Sequence, residues 1–310
     1  MTSCPACGSK VWREYLRSAD MYTGTPDNVV MCGQCGLVKT AGEEQRASWQ
    51  AYVYGGSPDA GRRFGPMQRA LRAFREVRGA RVTSEKPGKA LDVGCGDGSF
   101  LEALERRGWD VSGTELSESI AATARASLGD NVRVGNIHEV GFDVASFDLI
   151  TFWHVLEHLE DPKLALAEAR RLLKPDGKIV VAVPNIESWQ ARLFGGDWLH
   201  LDVPRHRWHF GLRTLTAMAD RCGLRVESVR HFSLEYGPIA IVQGIATKIG
   251  LGHSFFTRLI RQSPLQLVSE PLFWVHVPVV TLSALPSLLV ELLAASFKRG
   301  GAIELVLRPK

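Results

Sequence analysis

Residues 90–98 read Ala-Leu-Asp-Val-Gly-Cys-Gly-Asp-Gly, and Glu115 closes the next apolar run. Leu91 and Val93 fit a short buried strand. Gly94 and Gly96 let the backbone come close to a ligand that a Cβ would exclude. Phe100, Leu101 and Leu104 share one face of a helix over 99–107. A second strand, 110–114, ends on Glu115, 19 residues after Gly96, where a carboxylate can accept from both hydroxyls of a ribose. Strand, glycine turn, helix and acid-tipped strand predict an adenosine-bearing cofactor.

The spacing separates two kinds of cofactor. Dinucleotide folds use G-x-G-x-x-G and aim a helix N-terminus at a pyrophosphate. This chain has Gly94-x-Gly96-x-Gly98, with Asp92 two residues before the first glycine. A carboxylate there repels a pyrophosphate and suits a ligand carrying an ammonium and a sulfonium. The segment resembles the first motif of class I S-adenosylmethionine (SAM) methyltransferases, and Glu115 resembles their ribose-binding acid. The stretches 147–162, 173–177 (Leu-Lys-Pro-Asp-Gly) and 204–210 (Pro-Arg-His-Arg-Trp-His-Phe) resemble the subgroup that includes the ubiquinone-pathway O-methyltransferases. The resemblance runs over residues 88–232 and resumes at 301–308. It implies a SAM site of Asp92, Gly94, Cys95, Gly96, Gly98, Glu115, Leu116, Asn136, Ile137, Trp153 and His154. Relatives often carry an acid near the adenine amino group where this chain has Asn136, whose amide oxygen can accept the same hydrogen bond.

A second group of reactive side chains, His154, Glu157 and His158, follows the fourth strand of the sheet, where open α/β sheets place catalytic groups. If the segment turns helically, all three share a face. The letters match an H-x-x-E-H zinc-protease pattern, which needs a long helix and a distant third ligand and is set aside. Some ubiquinone-type relatives bind a divalent ion at the matching segment, with a Glu in place of His154. That resemblance implies an ion at Glu157 and His158. Alternatively His154 or His158 is a general base, since methylating a hydroxyl requires removal of its proton and an imidazole with a pKa near ~6.5 can take it. His206 and His209 are rivals for that role. Arg205 and Arg207 beside them could hold a phosphate or carboxylate, or His209 and Phe210 could simply cap the helix over 211–222. The preceding loop, 186–203, carries Trp189, Phe194 and Trp198 with Gly195-Gly196 and reads as a mobile lid with exposed aromatics.

Cys4-Pro-Ala-Cys7 and Cys32-Gly-Gln-Cys35 form two knuckles separated by 24 residues. Four thiolates in this layout suit a structural, tetrahedral Zn²⁺ with no position left open for water. The residues between them, among them Trp12, Tyr15, Leu16, Val29 and Val30, would make a ribbon too small to hold a core without metal.

These sites need a scaffold of alternating strands and helices. Strands over 132–136, 147–153 and 178–183 follow the first two, with a helix over 162–173 capped by Asp161 and a turn at 174–177. Strands over 224–232 and 302–307 complete a doubly wound, seven-stranded α/β sheet of methyltransferase type. Within the family's pattern the last two are joined by a short turn, whereas here about 68 residues intervene. We expect a zinc ribbon (1–40), a linker and amphipathic helix (41–87), a SAM domain (88–233 and 301–310) and an apolar helical insertion (234–300). The helix carries Phe64, Met67, Leu71 and Phe74 on one face and Arg69, Arg72, Arg75 and Arg78 on the other.

The insertion holds two apolar runs, 239–249 and 272–296, the second broken by His276, Pro278, Pro286 and Glu291. Arg258, Arg261, Lys298 and Arg299 flank them. It could lie in a membrane interface, carry an apolar substrate, cap the site, bury a subunit contact, or cross the bilayer as a hairpin. The chain has 310 residues, 23% of them charged, and a net charge of +4, which demands no nucleic-acid partner. The paired cysteines and the lack of a basic start leading into an apolar run predict a cytoplasmic enzyme without a signal peptide, at the inner face of the membrane. Its expected acceptor is a hydroxyl of a small, lipid-linked, quinone-like or sugar-containing molecule. The alternatives are a nucleotide-sugar C- or N-methyltransferase, or a non-catalytic SAM-fold module that recruits partners through its ribbon. The spacing leaves the oligomeric state and the acceptor atom open.

Overall fold

The computed structural model describes residues 3–21, 23–42, 65–82, 86–251, 269 and 271–310. The expected linker up to Phe64, the side chains of Met67, Arg69, Leu71 and Arg72, and Arg258 and Arg261 lie outside the described residues. In chain order the strands are β1 (Trp12–Ala19), β2 (Pro26–Cys32), β3 (Val38–Thr40), β4 (Lys89–Val93), β5 (Asp110–Glu115) and β6 (Val132–Val134). Then come β7 (Phe147–Trp153), β8 (Leu173–Pro184), β9 (Trp208–His209), β10 (Leu224–Arg230) and β11 (Ala302–Pro309). The helices are α1 (Gly65–Val82), α2 (Ser99–Glu105), α3 (Glu118–Leu128) and α4 (Pro162–Leu172), then α5 (Trp189–Phe194), α6 (Leu212–Arg221), α7 (Gly237–Lys248) and α8 (Pro271–Ser296).

The chain divides into two compact units, each assembled from separate stretches of sequence. One comprises Gly65–Ala182, Thr216–Val229 and Leu305–Lys310, the other Met1–Phe64, Val183–Leu215 and Arg230–Glu304. The boundaries expected from sequence do not coincide with these units, because the ribbon segment shares its unit with the 183–215 stretch and the insertion.

The first of these units holds the seven-stranded sheet, in the order β10-β11-β8-β7-β4-β5-β6. β4 pairs in parallel with β5 on one side and β7 on the other, so its carboxyl end is a point where the winding reverses and a crevice opens. The predicted apolar face of α2 is buried: Phe100, Leu101 and Leu104 pack with Ala90, Val111 and Leu149. Asp161 caps α4, its carboxylate accepting from Leu164 N at 2.9 Å, with Pro162 in the first turn. One expected turn is absent. Residues 174–177 do not start a new element but bulge out of β8, so that Phe147 pairs with Leu173 and Leu149 with Lys178. Lys174 Nζ reaches Asp148 Oδ2 at 2.7 Å across the bulge.

The other unit is built on a four-stranded sheet, β1-β2-β3-β9. The first three strands are antiparallel neighbours of the ribbon segment, and β9 joins β3 through the pairs Val38 with His209 and Lys39 with Trp208. The core of the unit packs Val29 and Val38 from the ribbon strands against Ala191, Phe194, Trp198, Leu201, Val203 and Ile241. This overturns the expectation of exposed aromatics in a mobile lid. Residues 186–203 form α5 and two short 3₁₀ turns, with Phe194 and Trp198 buried and Trp198 Nε1 donating to Gln190 Oε1 at 2.9 Å. A ribbon too small for its own core has recruited one from downstream. In the insertion, α7 buries Ala240, Ile241, Val242 and Ala246, and α8 runs as one helix through Pro278 and Pro286.

Candidate functional site

At the carboxyl end of β4 the three loop glycines do different work. Gly96 has φ +57°, and a Cβ built there meets nothing within 4 Å, so the chain leaves open space where a ligand can touch backbone. Gly98 faces the protein instead, and a Cβ there would strike Ala124 and Leu128 of α3. Glu115 closes the far side of the turn. Its carboxylate is buried and accepts from Gly96 N at 3.1 Å and Ser117 N at 3.0 Å, which fixes the acid to the glycine loop. Asp92 is buried on β4 and accepts from Thr151 Oγ1 at 2.5 Å. Burial pushes its carboxyl up to about 7, against the opposing pull of the Thr151 hydroxyl and of Arg78 and Arg75.

The other residues expected at the SAM site stand at or just after the carboxyl ends of β4, β5, β6 and β7. Cys95 donates its N–H to Thr114 O at 2.9 Å, but its side chain is buried in the core, so it presents only backbone to the turn. The side chain of Leu116 is exposed and that of Ile137 buried. Asn136 donates from its backbone N–H and from Nδ2 to Glu139 Oε2 at 3.0 and 2.8 Å, which leaves Oδ1 as the acceptor of its side chain. Trp153 stacks edge-on with Phe100 at 5.6 Å between ring centroids, and its buried Nε1 has no hydrogen-bond partner. Sequence reasoning missed what covers it. Arg78 of α1 lies 4.3 Å over the Trp153 ring and Arg75 pairs with Asp97 at 3.2 Å, so the basic face of α1 is not simply solvated.

His154 ends β7 in a left-handed conformation, φ +54°, with its N–H bonded to Ala182 O at 2.9 Å. The expected helical turn is a single tight turn closed by His158 N on Val155 O at 2.9 Å. It still brings His154 and Glu157 together, Nδ1 to Oε1 at 3.3 Å, too skewed for a hydrogen bond. Glu157 is buried, and neither of its oxygens accepts a hydrogen bond.

His206 and His209 belong to the ribbon-bearing unit. His206 Nδ1 lies 2.8 Å from His200 O. His209 is buried on β9 with Nε2 3.1 Å from Thr40 Oγ1, and burial alone pushes its imidazole down to about 3. Its surroundings are those of a packed, neutral histidine. Arg205 is not available for a substrate anion: it is buried and reaches Asp20 Oδ2 at 3.2 Å and Asp202 Oδ1 at 2.6 Å. The four knuckle cysteines converge, with Sγ–Sγ separations of 3.5 Å for Cys4–Cys35 and 3.6 Å for Cys7–Cys32, and all four sulfurs within 4.8 Å of one another. Those separations are too long for a disulfide and close to the ~3.8 Å edge of a tetrahedron with metal–sulfur bonds of ~2.3 Å. Burial works against ionisation of Cys32, but the backbone N–H groups of Cys35 and Gln34, together with the Cys7 and Cys35 thiols, outweigh it and lower its thiol pKa.

A family model described as a methyltransferase domain matches residues 63–229. A ubiquinone biosynthesis O-methyltransferase of Idiomarina loihiensis is 29% identical over 163 residues, 49% of this chain and 66% of that one. A protein of the same name from Coxiella burnetii is 30% identical over 48% of this chain and 68% of its own length. Similarity thus spans about two thirds of these relatives. A solved SAM-dependent methyltransferase from Archaeoglobus fulgidus aligns over 78% of this chain and 99% of its own, at 19% identity and a TM-score of 0.48. The chain belongs to the class I SAM-dependent methyltransferases.

The buried Asp92 generates a prediction with a defined sign. Its carboxyl titrates near 7 when folded and from 3.8 when unfolded. Its contribution is therefore intact below about pH 4 and is lost as pH rises through 7, with a slope of up to about 1.4 kcal/mol per pH unit. Urea unfolding between pH 5 and 8 should show wild type losing stability relative to Asp92→Asn. Equal slopes for the two proteins would contradict the assignment.

Proposed function

We propose that the chain moves the methyl group of SAM to a hydroxyl oxygen of a lipid-linked, quinone-like or sugar-containing acceptor, with His154 as the base. The observation that carries this reading is the closed circuit at the glycine turn. The backbone of Gly96 borders open space and at the same time fixes the Glu115 carboxylate. In this reading Asp92 and the 94–98 turn hold the methionine end, Glu115 the ribose, and Asn136 Oδ1 the adenine amino group beside Ile137. Bound there, SAM would supply an electrophilic methyl on a sulfonium, with S-adenosylhomocysteine as the leaving group.

The residues of this chain then need to align the acceptor and remove one proton. Alignment of an in-line displacement supplies much of the acceleration. His154 takes the hydroxyl proton as the oxygen–carbon bond forms, and the buried Glu157 carboxylate, 3.3 Å from its Nδ1, stabilises the imidazolium by its charge. The two unpaired oxygens of Glu157 also fit a divalent ion shared with His158, as the ubiquinone-type resemblance implies. Acceptor oxygen as the target is supported by the names of the relatives above, whose similarity covers the SAM-binding part of this chain. The neutral, packed state of His209 and the ion-paired state of Arg205 favour His154 over the 205–209 cluster.

Calorimetry and turnover separate the two halves of this reading. Glu115→Ala should weaken SAM binding by ~1.5–3 kcal/mol, because it removes a charged acceptor for two hydroxyls. His154→Ala should lower kcat by about 10²–10⁴ while SAM affinity changes by less than about tenfold. Wild-type SAM affinity in Glu115→Ala rejects the cofactor pose. Unchanged kcat in His154→Ala rejects the base.

We further infer one structural Zn²⁺ on Cys4, Cys7, Cys32 and Cys35, supported by the spacing of the four sulfurs. Elemental analysis should find about one zinc per chain, lost in Cys32→Ser. That variant should lose order in the β1–β3 segment yet keep SAM affinity within about tenfold. A zinc-free wild type, or a zinc content untouched by Cys32→Ser, contradicts the inference.

A further inference from the structure

Helix α8 is inside out for a water-soluble protein. In its carboxyl-terminal half the buried positions are Ser287, Glu291 and Ala294, at i, i+4 and i+7 on one face. Glu291 is only 1% exposed. Its carboxylate accepts from Gln190 Nε2 at 3.0 Å and from Gly301 N at 2.8 Å, and burial raises its pKa. The same Gln190 accepts from Trp198 Nε1, so the polar stripe of α8 is tied into the core of its unit. The outward face carries the large apolar side chains. Leu282 is 77% exposed and Leu285 63%, and Trp274, Val275, Leu289 and Leu293 are exposed with them. A surface helix in water shows the reverse arrangement, leucines inward and acids outward.

The geometry points to α8 as an in-plane anchor that seats this leucine face in one leaflet of an anionic lipid bilayer. By length and composition α8 could cross a membrane, and only 17% of its apolar stretch is buried. A spanning helix, however, meets lipid on all sides, whereas the side of α8 bearing Ser287 and Glu291 is occupied by protein. One exposed face and one docked face is the arrangement of an interfacial helix.

Three observations favour lipid over a second copy of the chain. The outward strip is about 39 Å long and one helix wide, roughly 400 Å², about half of the ~800 Å² per partner that a stable dimer buries. Exposed aromatic residues stand at both ends, Trp274 near the start and Phe297 just past the last turn, followed by the exposed Lys298. Aromatic rings and a terminal cation are the usual anchors at a membrane interface. Pro278 and Pro286 sit inside the helix, a cost in water that apolar membrane helices carry more often than soluble ones. Anchored this way, the chain could collect an acceptor with an apolar tail from the bilayer.

The test is flotation of the full-length protein with vesicles of phosphatidylcholine and phosphatidylglycerol. The comparison is the triple variant Leu282→Glu, Leu285→Glu, Leu289→Glu, whose positions are exposed and outside the cofactor site. Wild type should float and the variant should lose vesicle affinity by more than about tenfold, since three buried leucines are replaced by charges. Wild-type circular dichroism and an unchanged thermal unfolding midpoint in the variant certify the fold of the α8-bearing unit independently of membrane binding. A wild type that stays at the bottom of the gradient overturns the proposal. So does equal flotation of the two proteins. Sedimentation showing a wild-type dimer that the triple variant converts to monomer, with no flotation of either, would assign the face to self-association instead.

Discussion

One hydrogen bond holds the candidate SAM site together: Gly96 N to the carboxylate of Glu115, 3.1 Å across the mouth of two adjacent parallel strands. Charge-assisted bonds of this kind are stronger than neutral ones, and this one is half-buried. It sets the width of the glycine turn, since Ser117 N holds the other oxygen of the same acid and so fixes the start of α3. Leu91 and Val93 deliver the turn, α2 packs beneath it, and Gly98 lets α3 approach. The core of the sheet unit can be read as the support for that one bond. Asp92, two residues before the first glycine, contributes a carboxyl whose pKa burial raises to about 7, so its charge responds to a cation nearby.

The ribbon-bearing unit follows a different constraint. A segment of about 40 residues with short strands cannot exclude water by itself. It solves this with the cysteine cluster at one end and with borrowed apolar side chains at the other. Trp198 is the pivot, packed against Val29 and Val38 while its N–H is bonded to Gln190. Gln190 passes the constraint on to Glu291 of the insertion, and Arg205 locks Asp20 to Asp202 beside it. A charge pair that deep is costly to break from one side only. It specifies one arrangement of the ribbon strands and the 183–215 stretch, and the inverted polarity of α8 follows from the same network.

What could be read from the sequence depended on how local the cause was. The glycine turn, the acid at the end of β5, the cap at Asp161 and the cysteine knuckles are each fixed by residues within a few positions, so spacing alone reveals them. The seven-strand sheet was legible because β-branched runs alternate with amphipathic helices. Causes that join distant residues were not legible. Strand β9 is two residues long and has no period to detect, so its pairing with β3 left no trace. Trp189, Phe194 and Trp198 beside two glycines look like a lid until the ribbon strands that bury two of them are known. Arg205 reads as an anion receptor because its carboxylate partner Asp20 lies 185 residues away. The bulge at 174–177 carries the turn formers Pro, Asp and Gly in a row, and only the pairing of β7 with β8 shows that the strand continues through it.

The central claim is methyl transfer from SAM to an oxygen, and the fate of the methyl carbon decides it. The full-length chain, incubated with SAM carrying a ¹³C-labelled methyl and a membrane-lipid extract or a prenylated dihydroxybenzene, should release S-adenosylhomocysteine. The label should appear in the product as a methoxy carbon by nuclear magnetic resonance. A label on nitrogen or on ring carbon would contradict oxygen as the acceptor. Stoichiometric binding of SAM with no transfer to any hydroxyl-bearing acceptor would contradict the account as a whole.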